Sequence, residues 1–160
     1  MLLLTQLSCD QSGNECGPAE TFAPIGPELF KVDYAWEPLT VTLYRSGDQI
    51  QLIEQTPDQA PREVRATMSA SVLEAIEEAE TTLGNGDPLG GFDGQCLTYI
   101  DHPTSRLSLA VSRSLLHFGY PLACPPSSFS GLDALLLDLV EAMPTCGETP
   151  LVSDCSIIGE

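Results

Sequence analysis

The chain has 160 residues, of which 42% are hydrophobic and 18% are charged, a balance typical of one globular domain. Its 23 Asp and Glu outnumber its 6 Lys and Arg, so the formal net charge is -17 at pH 7. This charge argues against binding of nucleic acid through a basic groove and against direct docking on an anionic membrane. It favours a cationic partner, and the alternative explanation is that the charge only keeps the protein soluble.

The first nine residues contain a short apolar run, residues 1–4, followed by Leu7-Ser8-Cys9. A complete export signal needs a basic start and about 7–15 apolar residues, so this stretch corresponds only to the back end of one. Leu7-Ser8-Cys9 resembles the end of a bacterial lipobox, the motif in which the cysteine of an envelope lipoprotein becomes lipid-modified. The resemblance implies lipidation at Cys9 and a membrane attachment through that anchor alone.

Residues 10–28 lack apolar periodicity and are rich in residues that break regular structure: Gly13, Gly17, Pro18, Pro24, Gly26 and Pro27. This composition predicts a linker. We therefore expect residues 1–28 to form a signal remnant and linker, and residues 29–160 to form a single domain.

The cysteine pattern predicts disulfides rather than a metal site. No two cysteines form Cys-x-x-Cys, and neither histidine lies near a cysteine pair at zinc-finger spacing. Disulfides imply an oxidising compartment, whereas the alternative is buried free thiols in a cytosolic protein. Among the 15 connectivities that six cysteines allow, the simplest pairs are Cys146–Cys155 and Cys96–Cys124, with Cys9–Cys16 if Cys9 carries no lipid.

The first predicted elements are a β-hairpin and a third strand. Leu39, Val41 and Leu43 alternate with polar or aromatic neighbours, which is the period of a strand with one buried face. Turn residues at 46–48 separate this strand from a second one over residues 50–53. Residues 64–68 predict a third strand.

A helix follows, and Ser71 and Glu74 are placed to form its capping box. Its apolar stripe consists of Val72, Ile76, Ala79 and Leu83, and Gly84 is expected to end it. Residues 84–94, GNGDPLGGFDG, carry five glycines and a proline and predict a long loop.

Two further strand patterns, residues 97–100 and 107–111, precede a Pro-rich segment and a second helix. The second helix is predicted between Ser130 as a cap and Pro144 as a stop. Its apolar spacing is i, i+3, i+4, i+7, i+8, i+11 for Leu132, Leu135, Leu136, Leu139, Val140 and Met143. Strands that come in antiparallel-looking pairs predict a single α+β domain with about five antiparallel strands and both helices on one face.

No catalytic motif stands out. The chain has no Gly-x-Ser-x-Gly elbow, and its glycine-rich loop lacks the Gly-Lys-Ser/Thr of a phosphate-binding loop. Asn85, Asp87 and Asp93 do not match the spacing of a calcium-binding EF-hand. We therefore expect no metal and no cofactor. A hydrolase that uses His102 or His117 is the alternative class of function.

The most informative surface is the outer side of the first helix. Glu74, Glu77 and Glu78 lie opposite the apolar stripe, and no Lys or Arg within the helix offsets them. Such a face is often merely solvated, but it is also what a binder of a basic protein presents. The adjacent loop adds three candidate contacts, Asp87, Phe92 and Asp93.

These features favour a non-catalytic acidic binding protein over an enzyme or a structural accessory subunit of an envelope assembly. By size, charge and export-type features, the chain is similar to the immunity proteins that protect bacteria from periplasm-active toxins. The similarity implies a basic protein partner such as a toxin or secreted effector, inhibition by occlusion, and a place in the periplasm or on the periplasmic side of the outer membrane.

Overall fold

A computed structural model describes residues 22–34, 37–86, 89–90, 103–122 and 124–158. These residues form one α+β domain built on a seven-stranded antiparallel sheet with the strand order β6-β5-β1-β2-β3-β4-β7. The strands are β1 (Glu28–Tyr34), β2 (Leu39–Ser46), β3 (Gln49–Gln55), β4 (Arg62–Met68), β5 (Thr104–Val111), β6 (Ser114–Pro121) and β7 (Val152–Ile158). The helices are α1 (Ala70–Gly84) and α2 (Ser130–Ala142), and the short 3-10 helices Ser127–Phe129 and Met143–Thr145 flank α2.

The core lies between one face of the sheet and the two helices. The strand register places Phe30, Val32, Val41, Leu43 and Leu107 on one face, and all five are buried. The apolar stripes of α1 and α2 are buried in the same cluster, with Val72, Ile76, Leu136 and Leu139. Alternation along the strands and helical spacing along α1 and α2 therefore produce one shared hydrophobic core.

The prediction of about five strands is wrong, because the described residues form seven strands and β1, β6 and β7 were not predicted. In β1 the register shifts between Glu28 and Phe30, which puts two buried residues, Leu29 and Phe30, in sequence. In β7 it shifts opposite Arg65 and Thr67, near Asp154, whose φ is 50°. A β-bulge breaks the period of two that identifies a strand in sequence. The strand expected over residues 97–100 lies outside the described residues.

The capping predictions for both helices also need correction. The N-cap of α1 is Ser69 rather than Ser71, and Ser69 makes no side-chain capping bond to the backbone. Ser69 instead donates its backbone N–H to Leu151 O at 2.8 Å, while its hydroxyl contacts that of Ser71. The tight connection from β4 thus starts the helix earlier than the Ser-x-x-Glu pattern indicates. Ser130 is the first residue of α2, and its cap position is Phe129.

Cys146 and Cys155 form a disulfide with a Cα–Cα distance of 5.5 Å, and this is the pair that their spacing predicts. The bond joins the end of the α2 region to β7, the edge strand beside β4. Cys124 is also disulfide-bonded, and its partner lies outside the described residues. In the part of the chain that the structure describes, no helix is long and apolar enough to cross a membrane.

Replacing both Cys146 and Cys155 by alanine is expected to lower the free energy of unfolding by about 2.5 kcal/mol, because the bond closes a loop of about ten residues in the unfolded chain. For a domain of this size the melting temperature should then fall by about 5–10 °C. Calorimetry of the oxidised protein and the double variant measures the difference. An unchanged melting temperature would show that the tail contributes nothing to the cooperative fold.

Candidate functional site

The outer side of α1 carries three exposed carboxylates, Glu74, Glu77 and Glu78, here called the acidic ridge. The opposite side of the helix is buried through Val72 and Ile76. No ion pair between the acidic ridge and any cation occurs among the described residues. The structure therefore places these three predicted site residues together on one solvent-exposed surface.

Five of the six cations lie on strands of the sheet, and the sixth lies in a turn. Neither helix contains a Lys or an Arg. Arg113 lies in the β5–β6 turn and makes no ion pair with a described residue, while the other cations form the pairs Lys31–Asp33, Arg45–Glu80, Arg62–Glu54, Arg65–Glu63 and Arg106–Glu28. All five strand cations are therefore neutralised, four by carboxylates of the sheet and Arg45 by Glu80 of α1, while the acidic ridge has no described cation partner.

The second helix extends this acidic surface. Asp138 and Glu141 are exposed on α2, which packs against α1. The accumulated negative charge affects the pKa of a nearby phenol, that of Tyr34. Burial raises the pKa of Tyr34, and the negative charges of Glu141, Glu37 and Glu54 raise it further. A tyrosinate at this position would be repelled by the carboxylates, so the phenol stays neutral over a wider pH range.

Several predicted site residues lie outside the described residues: Asp87, Phe92 and Asp93 of the glycine-rich loop, Cys9, Cys16, Cys96 and His102. Their roles stay predictions. The described end of α1 is consistent with a loop starting there, because Asn85 and Gly86 form the turn that ends the helix. The φ of 72° at Gly86 is one that glycine adopts without strain.

Beside the acidic ridge, α1 borders a cleft of about 350 Å³ at one end of the sheet. Glu28, Leu29, Arg45, Glu80, Ala110 and Leu115 line it. The Glu80 carboxylate accepts hydrogen bonds from Arg45 Nη1 and from the Ala110 backbone N–H, both at 3.2 Å. Sequence reasoning missed this cleft because Glu80 and its partners lie 35 and 30 residues apart in the chain.

The outer face of the sheet, opposite the helices, brings His117 next to a serine. Ser108 Oγ lies 2.8 Å from His117 Nδ1, and Ser108 also donates to Glu28 Oε1 at 3.4 Å. Arg106 binds both oxygens of that carboxylate at 2.6 Å.

This arrangement differs from a catalytic triad, in which the carboxylate bonds to the histidine and orients it. Here the carboxylate contacts the serine and is neutralised by Arg106, and Ser108 is buried. The geometry favours a structural network that ties β1, β5 and β6 together. Nor does any group of three His, Cys, Asp or Glu among the described residues form a metal-binding cluster.

Comparison with known proteins adds no relative to this description. No family model matches the chain, no curated protein matches it, and no solved structure matches it.

Proposed function

We propose that this protein is a non-catalytic binding protein that holds or neutralises a basic protein through its acidic helical surface. The observation that carries the proposal is that every strand cation is paired while the acidic ridge has no described cation partner. Four of the five strand cations are matched by carboxylates of the sheet, and Arg45 is matched by Glu80 of α1. Solubility alone requires net charge, but it does not require this distribution of paired and unpaired carboxylates.

The acidic ridge acts by electrostatic attraction. A dense negative surface raises the rate at which a cationic protein arrives and rejects acidic competitors, and it contributes less to affinity itself. Specific affinity then needs a shaped contact, and the cleft beside Glu80 together with the loop residues Asp87, Phe92 and Asp93 would supply it. Occlusion of a cationic active site is the inhibitory mechanism that follows.

The setting we propose is the bacterial envelope, with the protein in the periplasm or tethered to the outer membrane at Cys9. The Cys146–Cys155 disulfide supports an oxidising compartment. A role as an immunity-type protein that neutralises a basic toxin or effector accounts for both this compartment and the acidic surface.

Two other functions are less well supported. A hydrolase would require His117 to be oriented by a carboxylate, and its described partner is Ser108. An accessory subunit would present a broad apolar patch, whereas the described surface exposes only two large hydrophobic side chains, Leu116 and Ile158. These lie on opposite edges of the sheet, so they form no common patch.

The test replaces Glu74, Glu77 and Glu78 by glutamine. The oxidised protein is immobilised, incubated with extract of its own organism and eluted with a salt gradient. We expect a basic protein to be retained at low salt and released at high salt, and its association rate with the variant to fall by about tenfold or more. Surface plasmon resonance with the identified partner measures that rate.

The matched control removes the same amount of charge elsewhere, at three exposed acids that lie outside the helices: Glu37→Gln, Asp58→Asn and Asp154→Asn. This control should change the association rate much less than the acidic-ridge variant does. Equal losses in both variants would reduce the effect to net charge. Retention of no basic protein at any salt concentration would contradict the proposed function.

A further inference from the structure

The strand β6 forms one edge of the sheet, and its inner side is completely paired. Its eight residues pair with β5 without a register shift, from Ser114 opposite Val111 to Pro121 opposite Thr104. On its outer side no described strand pairs with it. The backbone N–H and C=O groups that point outward therefore have no strand partner among the described residues.

The sequence of β6 lacks several of the features that usually prevent strand pairing. Natural edge strands are protected by charged side chains, bulges, internal prolines or a short length. β6 contains no Lys, Arg, Asp or Glu, and its one proline is its last residue. The opposite edge, β7, shows the contrast, since it is interrupted by a bulge near Asp154 and is anchored by the Cys146–Cys155 disulfide.

Exposed apolar surface is also present on β6. Leu116 is 39% exposed, a fraction matched among the large hydrophobic side chains only by Ile158 on β7, within the described residues. Three of the other seven β6 residues are exposed too, namely Ser114, His117 and Gly119. An exposed, regular and uncharged edge with an apolar side chain is suited to strand addition.

Charge decides which occupant fits this edge. The β5–β6 hairpin, residues 104–121, carries Arg106 and Arg113 and no Asp or Glu, in a chain whose net charge is -17. Arg106 is neutralised by Glu28. A basic partner gains nothing from this surface, whereas a second copy of this acidic chain meets less repulsion here than at either helix.

We infer that β6 is a homodimer interface, at which β6 of one copy pairs antiparallel with β6 of a second copy. Antiparallel pairing of β6 with its own copy is related by a two-fold axis, so each protomer contributes the same backbone groups to the contact. The assembly therefore stops at two copies. The two seven-stranded sheets then become continuous, and the acidic helical surfaces stay outside the contact. This inference does not depend on the proposed function.

The test measures the mass of the purified full chain by sedimentation equilibrium over a wide range of protein concentration. We expect the mass to rise from 17.1 kDa towards twice that value. Leu116→Lys places a charge on the edge and should keep the protein monomeric at every concentration, with unchanged circular dichroism. Ile158→Lys is the matched control, because Ile158 has the same exposure on the other edge, and it should associate as the wild type does.

Salt separates this contact from the binding of a basic protein. Added salt screens the repulsion between two acidic copies and should strengthen dimerisation, while it weakens attachment of a cation to the acidic ridge. A wild-type protein that stays monomeric would overturn the inference. This holds also if hydrogen exchange then shows that another segment of the same chain covers β6. Loss of association in Ile158→Lys but not in Leu116→Lys would overturn it too.

Discussion

Replacing Tyr120 by phenylalanine is expected to lower the free energy of unfolding at pH 7 by about 3 kcal/mol, because it leaves a buried carboxylate without its donor. The Tyr120 hydroxyl donates to Asp133 Oδ1 at 2.8 Å. Both residues are buried on the core side, with Asp133 3% exposed. The bond joins β6 to the first turn of α2, so its loss also loosens the attachment of that helix.

The loss should shrink as the pH falls. Burial raises the pKa of Asp133, and the hydrogen bond from Tyr120 opposes that rise. An acid whose pKa is higher in the folded than in the unfolded protein contributes stability below its unfolded pKa, and this contribution disappears as the pH rises through the folded value. Once the carboxyl is protonated, the variant lacks only a neutral hydrogen bond, worth about 1 kcal/mol.

Urea unfolding of the wild type and of Tyr120→Phe measures the loss of stability and its pH dependence. It is carried out at pH 7 and at a pH near the range in which carboxyl groups titrate. Tyr34→Phe is the matched control, because no described residue hydrogen-bonds to the Tyr34 hydroxyl. Asp133→Asn keeps an acceptor for Tyr120 and removes the charge, so it should flatten the pH dependence. A loss in Tyr120→Phe that is the same at both pH values would contradict the role assigned to the buried charge.

Gln51→Leu is expected to destabilise the protein by a similar amount, about 3 kcal/mol, through the outer face of the sheet. Gln51 is fully buried and donates to Glu63 Oε1 at 2.8 Å and to Ala23 O at 3.2 Å. Its own oxygen accepts the Ile25 N–H at 2.9 Å. The substitution leaves the buried Glu63 carboxylate with Arg65 as its described donor and releases residues 22–27 from β3.

Urea unfolding and hydrogen exchange at the Ile25 amide measure these two consequences. Gln49→Leu, on the same strand but exposed, should change stability by less than about 0.5 kcal/mol. Adding Glu63→Gln to Gln51→Leu should recover part of the stability, because the second change removes the buried charge. No recovery would show that the lost contacts of residues 22–27 account for the whole effect.

Sequence periodicity predicted the elements whose side chains repeat regularly. Leu39, Val41 and Leu43 alternate without interruption, and the structure has a strand there. The stripes of α1 and α2 likewise identify helices that end at Gly84 and before Pro144, and they leave Glu74, Glu77 and Glu78 on the exposed side. In each case the information is local, because it lies in the spacing of neighbours along one element.

The strand order could not be read in the same way. Placing β5 beside β1, and β7 beside β4, joins segments that are about 75 and 90 residues apart in the sequence, as the pairs Phe30–Leu107 and Arg65–Ser156 illustrate. Such contacts are selected by the packing of the entire core, and no local pattern encodes them. The same reason hides the Arg45–Glu80 and Ser108–Glu28 contacts.

The sequence by itself determined the net charge, the position of the acidic ridge, the two helices and the strands with regular alternation, because each of these is a property of composition or of local spacing. The tertiary structure alone decided which charges are neutralised and which strands lie at the edges of the described sheet. Ion pairing and strand pairing depend on distances between remote segments, so the pairing of the strand cations and the position of β6 at the edge become visible only in the folded chain.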